Sequence, residues 1–380
     1  QYQPFFLQKI LGNKKSALII LSNNSKIEKI AKQLETLSSR KIYTFKAWDC
    51  LAYDRVSPSK EVINNRVKTL CDLLENNEQI VVTSINAVTQ YIVPRSSMLG
   101  ETLNIKTGDT FKLTDFVNFL HSRGYLRTGV VYEPGDFAVR GDIVDFFPVG
   151  VENPIRVDFF DTTIERIRYF DVTNQITNSI CDGLTIYPSS ECLLDAKKIE
   201  LFKRNYKESF GNVESSLYTH ITNNQPYNGY EHWLPLFFDN LDTIFDYLNN
   251  DALIIFEEGA KQTFIENWSF INEYYQARLN PIIKGAPSYL AIRPEKLYFD
   301  INTFENTFKK VNVNFYNFKK PDTEILKVND SPNLSEQINK EETFLNLREL
   351  KKNHQGKVFV IACKTNGSRI NLQEILKENN

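Results

Sequence analysis

Residues that carry catalysis or cross-linking are sparse in this chain. Its five cysteines (Cys50, Cys71, Cys181, Cys192, Cys363) are scattered through 380 residues, with no C-x-x-C and no Cys/His group at zinc-site spacing. That excludes a disulfide framework and a zinc module, and the five read as reduced core residues. The four histidines lie far apart, none in H-E-x-x-H or beside a G-x-S-x-G elbow, so hydrolase chemistry of those kinds has no support. The longest apolar runs, such as Ala17–Leu21 and Ala252–Phe256, fall far short of the ~20 residues that span a membrane, so no membrane partner is expected. Charge of one sign is missing too. Lys+Arg 45 against Asp+Glu 47 leaves a formal net charge of −2, without the positive excess of a dedicated nucleic-acid binder. The chain opens Gln1-Tyr2-Gln3 with no basic start or apolar stretch of a signal peptide, and a cytoplasmic location is expected. The single methionine is Met98; a primary translation product begins with one, so the chain is expected to be a fragment.

What is present divides by pattern. At ~150 residues per domain the length allows two or three domains. In the first hundred residues short apolar runs (Ser16–Leu21, Lys41–Ala47, Gln79–Ser84) alternate with helix-like stretches (Ser25 to Leu37, Lys60–Leu74), the rhythm of an α/β unit with a parallel sheet. From about Thr107 the pattern changes. A short helix, Thr114 to Arg123, closes at Gly124 and is followed by period-two strands near Phe137–Phe147, Pro154–Phe160, Ile164–Phe170 and Leu184–Tyr187, with a turn at Asn174–Asn178. This predicts an antiparallel meander with one helix. After Pro188 the α/β rhythm returns: helical Asp195–Phe210, a polar segment Gly211–Gly229, a helix near Leu241–Leu248, the strand Ala252–Phe256 and a helix Lys261 to Leu279. A β-rich insert within one α/β domain explains the order. Beyond Tyr316 the chain turns polar and reads as linker; a helix over 336–354, a strand over 357–362 and a helical start at Ser368–Lys377 then open a further unit too short to be complete.

A working phosphate loop after an early strand should read G-x-x-x-x-G-K-[ST]. Leu11-Gly12-Asn13-Lys14-Lys15-Ser16 lacks the second glycine, and Gly12 precedes its strand. Leu253-Ile254-Ile255-Phe256-Glu257-Glu258-Gly259 has the shape of a strand ending in a metal-binding acid. With no phosphate loop to serve, Glu257 and Glu258 read as solvated acids at a strand end. Neighbouring acids such as Glu257/Glu258 and Glu341/Glu342 point in different directions, which argues against acid–base catalysis by the pair. Lys309-Lys310 and Lys351-Lys352 read as solvated helix faces, with a weak, salt-sensitive DNA contact left open.

The strand Pro154–Phe160 alternates cleanly: Ile155, Val157 and Phe159 share one face, Arg156, Asp158 and Phe160 the other. On the preceding strand Phe137 and Val139 share a face and Arg140 takes the opposite one. An exposed aromatic beside arginines is a composition enriched in interface hot spots. The alternative is that Arg156 and Arg168 pair with Asp158 or Glu165 across strands; alternation alone does not choose between them.

Gly135-Asp136-Phe137-Ala138-Val139-Arg140-Gly141-Asp142-Ile143-Val144-Asp145-Phe146-Phe147-Pro148, followed by Arg156 to Asp161 and Ile164 to Asp171, resembles the UvrB-interaction-type domain shared by the nucleotide-excision protein UvrB and the bacterial transcription-repair coupling factors. Trp48-Asp49-Cys50-Leu51-Ala52-Tyr53-Asp54-Arg55-Val56-Ser57-Pro58, running on to Asn65-Arg66, looks like the first domain of the coupling factors. The tyrosine-rich hairpin that UvrB would place soon after Tyr53 is missing, and His232-Trp233-Leu234-Pro235-Leu236-Phe237-Phe238 is similar to a segment of the coupling factors' second half-domain. The resemblance runs from about Tyr2 to Asn380, strongest from Thr107 to Pro188 and weak from Lys261 onward. It implies a degenerate helicase-like parallel-sheet domain of the α/β class (1–103 and 189–320) split by an inserted α+β domain (104–188) of antiparallel sheet plus helix. A linker (321–335) and the start of a small third α/β domain (336–380) would follow. The family implies that the insert binds UvrA, with Arg140, Arg156 and Phe160 at the positions that meet it. No cofactor is implied for this piece. ATP and Mg would belong to motor domains beyond residue 380, as would the contacts to RNA polymerase and double-stranded DNA. The expected function is therefore recruitment of UvrA to stalled polymerase, without catalysis. The alternative is a divergent UvrB-like ATP-dependent DNA-binding protein.

Overall fold

The structure, a computed structural model, describes residues 3–279, 289–316 and 365–378, with isolated residues between 321 and 363. The chain divides into two compact units, Gln1–Glu324 and Ile325–Asn380. In the second, the helix Asn366–Glu378 covers the expected helical start; the linker over 321–335, the helix over 336–354 and the strand over 357–362 lie largely outside the described residues.

The first unit is α/β with a mainly antiparallel insert, in which the short edge strand Leu126–Arg127 pairs parallel to its neighbour. Strands β1 (Ser16–Leu21), β2 (Ile42–Phe45) and β3 (Gln79–Ser84) precede the insert, which holds β4 (Leu103–Lys106), β5 (Leu126–Arg127), β6 (Asp136–Arg140), β7 (Ile143–Phe146), β8 (Ile155–Phe160), β9 (Thr163–Phe170), β10 (Thr177–Ile180) and β11 (Gly183–Ile186). β12 (Leu253–Glu257) and β13 (Val313–Phe315) follow it. The first sheet runs in the order β13-β12-β1-β3-β2, every pair parallel. Parallel strands are covered on both faces and read as continuous apolar runs, and all six residues of β1 are buried. Ala17, Ile19 and Leu21 pack with Leu7, Leu11, Ile30 and Leu34 of the helices Gln3–Leu11 and Ile27–Leu37. Leu18 and Ile20 face the opposite core with Val67 and Leu70 of the helix Lys60–Glu75.

The insert departs from the expected meander in three places. The strand read as continuous over 137–147 is a hairpin of β6 and β7, because Gly141 takes the left-handed conformation (φ +61°) and reverses the chain. The stretch read as a turn at 174–178 turns earlier and enters β10, which pairs with β9. The strand near Leu184–Tyr187 is not in the meander at all; β11 pairs with β4 as a separate antiparallel ribbon at the base of the insert. Glycine is required at 183, where a Cβ would come within 2.6 Å of the Ile105 carbonyl oxygen. The six-stranded sheet has the order β10-β9-β8-β7-β6-β5, its inner face packed on the helix Leu113–Ser122 through Phe116 and Leu120. Elsewhere the polar segment over 211–229 contains the helix Ser216–Thr222, capped by Ser215, and the helix expected near Leu241–Leu248 is a single 3₁₀ stretch, Ile244–Tyr247.

Cys71, Cys181 and Cys192 are buried as expected, whereas Cys50 and Cys363 are half-exposed. Glu257 is also a correction: expected in solvent, it is 1% exposed at the end of β12. Among the described residues no helix is long and apolar enough to cross a membrane.

Buried Asp72, Asp145, Glu191 and Glu257 each meet a lysine or arginine, but among the described residues no ion pair meets Glu231, which accepts from the Ser57 hydroxyl (2.7 Å), and burial pushes its carboxyl up to about 7. A carboxyl raised in the folded state supports folding fully below its unfolded value of 4.5, and that support is lost as pH rises through 7. Glu231→Gln keeps an acceptor for Ser57 and removes the buried charge. It should raise stability above pH 7 by about 2–3 kcal/mol and flatten the melting-temperature profile between pH 4.5 and 7. Superimposable profiles for parent and variant would rule this out.

Candidate protein-docking face on the inserted sheet

Register determines what the insert displays. Phe137, Phe146 and Ile155 stand side by side across β6, β7 and β8, as do Val139, Val144 and Val157; all but Val139 are fully buried, and they form the inner face. Since side chains alternate, the rows between them face outward. One row is Ala138, Asp145, Arg156, Arg168 and Ile180; the next is Arg140, Ile143, Asp158 and Arg166; Phe160 and Thr163 stand beyond it. The three residues singled out from sequence therefore share one face of one sheet.

Their surroundings differ. Phe160 is 75% exposed at the β8–β9 hairpin, where Asp161 holds a left-handed backbone (φ +56°). Arg140 is exposed at the neighbouring β6–β7 hairpin and donates from Nη2 to the Gly129 carbonyl (3.0 Å). Arg156 is braced. Its Nε and Nη2 donate to the two carboxylate oxygens of buried Asp145 (2.6 and 2.8 Å), and its guanidinium lies over the Phe170 ring at 5.0 Å. Hydrogen bonding to Asp145 raises the Arg156 pKa further, so the group is a fixed cation. The cross-strand alternative proposed Asp158 or Glu165 as its partner. For Arg156 the structure corrects this, because register sets it opposite Asp145; for Arg168 the alternative holds, since Asp158 accepts from Arg168 Nη2 (2.5 Å).

A small apolar cluster of Val131, Ala138, Phe147 and Phe170 covers one end of the face. The loop above it is tied down by the Asp136 carboxylate, which accepts from the backbone N–H groups of Tyr132 and Glu133 (3.2 and 3.0 Å). The uncovered remainder displays Arg140, Arg166, Phe160 and Ile180, the last 77% exposed. Ile180 was missed because it falls between the stretch read as a turn, Asn174–Asn178, and the strand expected from Leu184. Asp145 was missed because a continuous strand would have put it on the inner face. No group of three or more His, Cys, Asp or Glu side chains able to hold a metal occurs among the described residues. The face offers apolar area and fixed positive charge, which suits recognition of a protein surface.

A family model described as the UvrB interaction domain matches residues 103–192, the stretch that contains this sheet. Curated relatives match far more of the chain. A transcription-repair-coupling factor of Haemophilus influenzae is 28% identical over 371 residues, 96% of this chain and 32% of that protein. One from Rickettsia bellii is 32% identical over 295 residues, 76% of this chain and 26% of that protein, and one from Escherichia coli is 29% identical over 62% of this chain. The chain is homologous to the transcription-repair-coupling factors. It spans about a third or less of the length of these relatives.

Arg156 and Phe160 should separate in stability. Arg156→Ala leaves Asp145 buried without its cation, which costs about 3–5 kcal/mol, whereas Phe160→Ala removes a side chain that buries little and should stay within about 0.5 kcal/mol of the parent. Urea denaturation of both variants checks this; equal midpoints would show that the Arg156–Asp145 pair does not brace the sheet.

Proposed function

We propose that this chain is the UvrB-like module of a transcription-repair coupling factor and that its inserted sheet recruits UvrA to stalled RNA polymerase in transcription-coupled nucleotide excision repair. The observation that carries the reading is the uncovered face bearing Phe160 and Arg140 beside the braced Arg156, within the stretch matched by the UvrB interaction domain. The names of the relatives support the wider role in coupling transcription to repair. On this reading the piece acts in the cytoplasm as a non-catalytic adaptor, and ATP with Mg, RNA polymerase and double-stranded DNA engage other parts of the longer protein. Phe160 supplies an apolar anchor at small entropic cost, since the strand already holds its backbone. Arg140 and Arg156 supply charge-assisted hydrogen bonds to acidic or carbonyl groups around the pocket that receives it.

Calorimetric titration with purified UvrA tests this. Arg140→Ala and Phe160→Ala should each weaken binding by about 1–3 kcal/mol, roughly 5- to 150-fold, with no heat from ATP alone. Parent-like affinity in both variants would remove the site assignment. ATP binding without UvrA binding would instead favour a divergent UvrB-like ATP-dependent DNA-binding protein.

A further inference from the structure

In an open parallel sheet, ligands enter the crevice beyond the carboxyl ends of the strands, at the point where strand order reverses. Here that point is set by topology: from β1 the chain crosses to the edge strand β2 and returns to β3 on one side, and later adds β12 and β13 on the other. The crevice therefore opens between the end of β1 and the end of β12. Ser22 directly follows β1, and Glu257 is the last residue of β12.

The crevice is filled by this acid. Glu257 Oε2 accepts from the Ser22 backbone N–H (2.6 Å) and the Ser22 hydroxyl (2.8 Å), while Oε1 accepts from Lys26 Nζ (2.9 Å) and Gln3 Nε2 (3.4 Å). Lys26 Nζ also donates to the Ser22 hydroxyl (3.3 Å). A backbone N–H, a hydroxyl and an ammonium converging on one point are the donors that an oxyanion takes. Burial alone would push the Glu257 carboxyl up, but the hydrogen bonds from Ser22 and Lys26 outweigh it and hold the group below its ordinary value, so it is charged at neutral pH. The turn that carries these donors is fixed independently: Asn24 Oδ1 accepts from the Ala47 N–H (3.3 Å) at the end of β2 and from the Ser84 hydroxyl (2.5 Å) at the end of β3. The turn that carries the donors is thus held by contacts that do not involve Glu257.

We propose that Glu257 is a built-in anion that closes the ligand crevice of the parallel sheet, and that the crevice becomes a phosphate-class oxyanion site only when its carboxylate is removed. The site then has Ser22 and Lys26 as ligands. The mechanism is competition within one chain: a covalently tethered carboxylate, charged and almost fully desolvated, outcompetes a free anion that must give up its translational freedom. This does not depend on whether the inserted sheet binds UvrA.

Pyrophosphate is the probe, with sodium chloride at matched ionic strength as control, read by calorimetry and by melting temperature on the full chain. The parent should show no pyrophosphate-specific shift. Glu257→Ala should bind at least about tenfold more tightly than the parent and regain melting temperature on adding pyrophosphate, and Lys26→Met in the same chain should abolish the gain. Glu257→Ser, which empties the crevice of charge but keeps a hydroxyl at the strand end, is measured in parallel in case the alanine variant does not fold. Pyrophosphate binding by the parent as tight as by the variants would overturn the proposal. So would a folded Ala or Ser variant with no shift beyond that of salt.

Discussion

The arrangement of the first unit depends on an ion pair almost closed to water. Arg66, on the helix Lys60–Glu75, is fully buried; its Nε and Nη2 donate to the two carboxylate oxygens of Glu191 (2.6 and 3.1 Å), Nη1 donates to the Lys46 carbonyl (2.9 Å), and the guanidinium lies 4.4 Å from the Phe45 ring centre. Desolvating two charges is costly, and such a pair holds only where geometry is good and the remaining donors are occupied. Glu191 lies just beyond the point where the chain leaves the insert. Next to it, Tyr187 donates to Asp72 of the same helix (2.6 Å), and Asp72 also receives Lys41 and Lys68, each at 2.9 Å. Together with the β4–β11 ribbon, these contacts hold both ends of the insert against the helix that packs on the parallel sheet. The direction in which the six-stranded sheet presents its outer face follows from them.

That face shows how a sheet can carry charge outward and stay rigid. An unpaired arginine on a strand is mobile and loses side-chain entropy when a partner fixes it. Arg156 has already lost it to Asp145 and Phe170, so the position of its guanidinium is set before any partner arrives. Phe160 has few rotamers and a backbone fixed by a tight hairpin. The two residues reach the same low ordering cost by different routes, one by an internal ion pair and one by ring stiffness.

The alternation of Ile155 to Phe160 placed Arg156 and Phe160 on the outward face from sequence alone, because a period of two survives wherever one face is buried. The runs Ser16–Leu21, Gln79–Ser84 and Ala252–Phe256 were equally legible as strands of a parallel sheet, since burial keeps their centres continuously apolar and leaves polar residues such as Ser16, Gln79 and Ser84 at the ends. What was not legible depended on chain reversals and long-range pairing. A continuous strand through Gly141 assigns Asp145 to the face of Phe137 and Val139; the hairpin moves it to the face of Arg140 and makes it the partner of Arg156. β10 was hidden by its turn-like composition, and the pairing of β11 with β4 joins residues about 80 positions apart. Glu257 was misplaced for a related reason. A strand-end acid is solvated unless donors meet it, and its donors come from Ser22 and Lys26, on a turn more than two hundred residues earlier in the chain.

The docking face and the closed crevice follow one principle applied with opposite outcomes. In both, an acid at or near a strand end is buried and meets a cation from another strand or turn. Asp145 sits beneath Arg156 and leaves the guanidinium at the surface, so the pair strengthens a face that can still be read from outside. Glu257 sits between the strand ends and takes up the donors themselves, so the carboxylate occupies the point where an anion would be held. Which result is obtained depends on depth: a pair at the outer surface of a sheet shapes recognition, and the same pair at the carboxyl ends of parallel strands removes a binding site. A sheet of this topology can therefore have its usual ligand crevice closed by a single well-placed carboxylate while its core strands keep their apolar character.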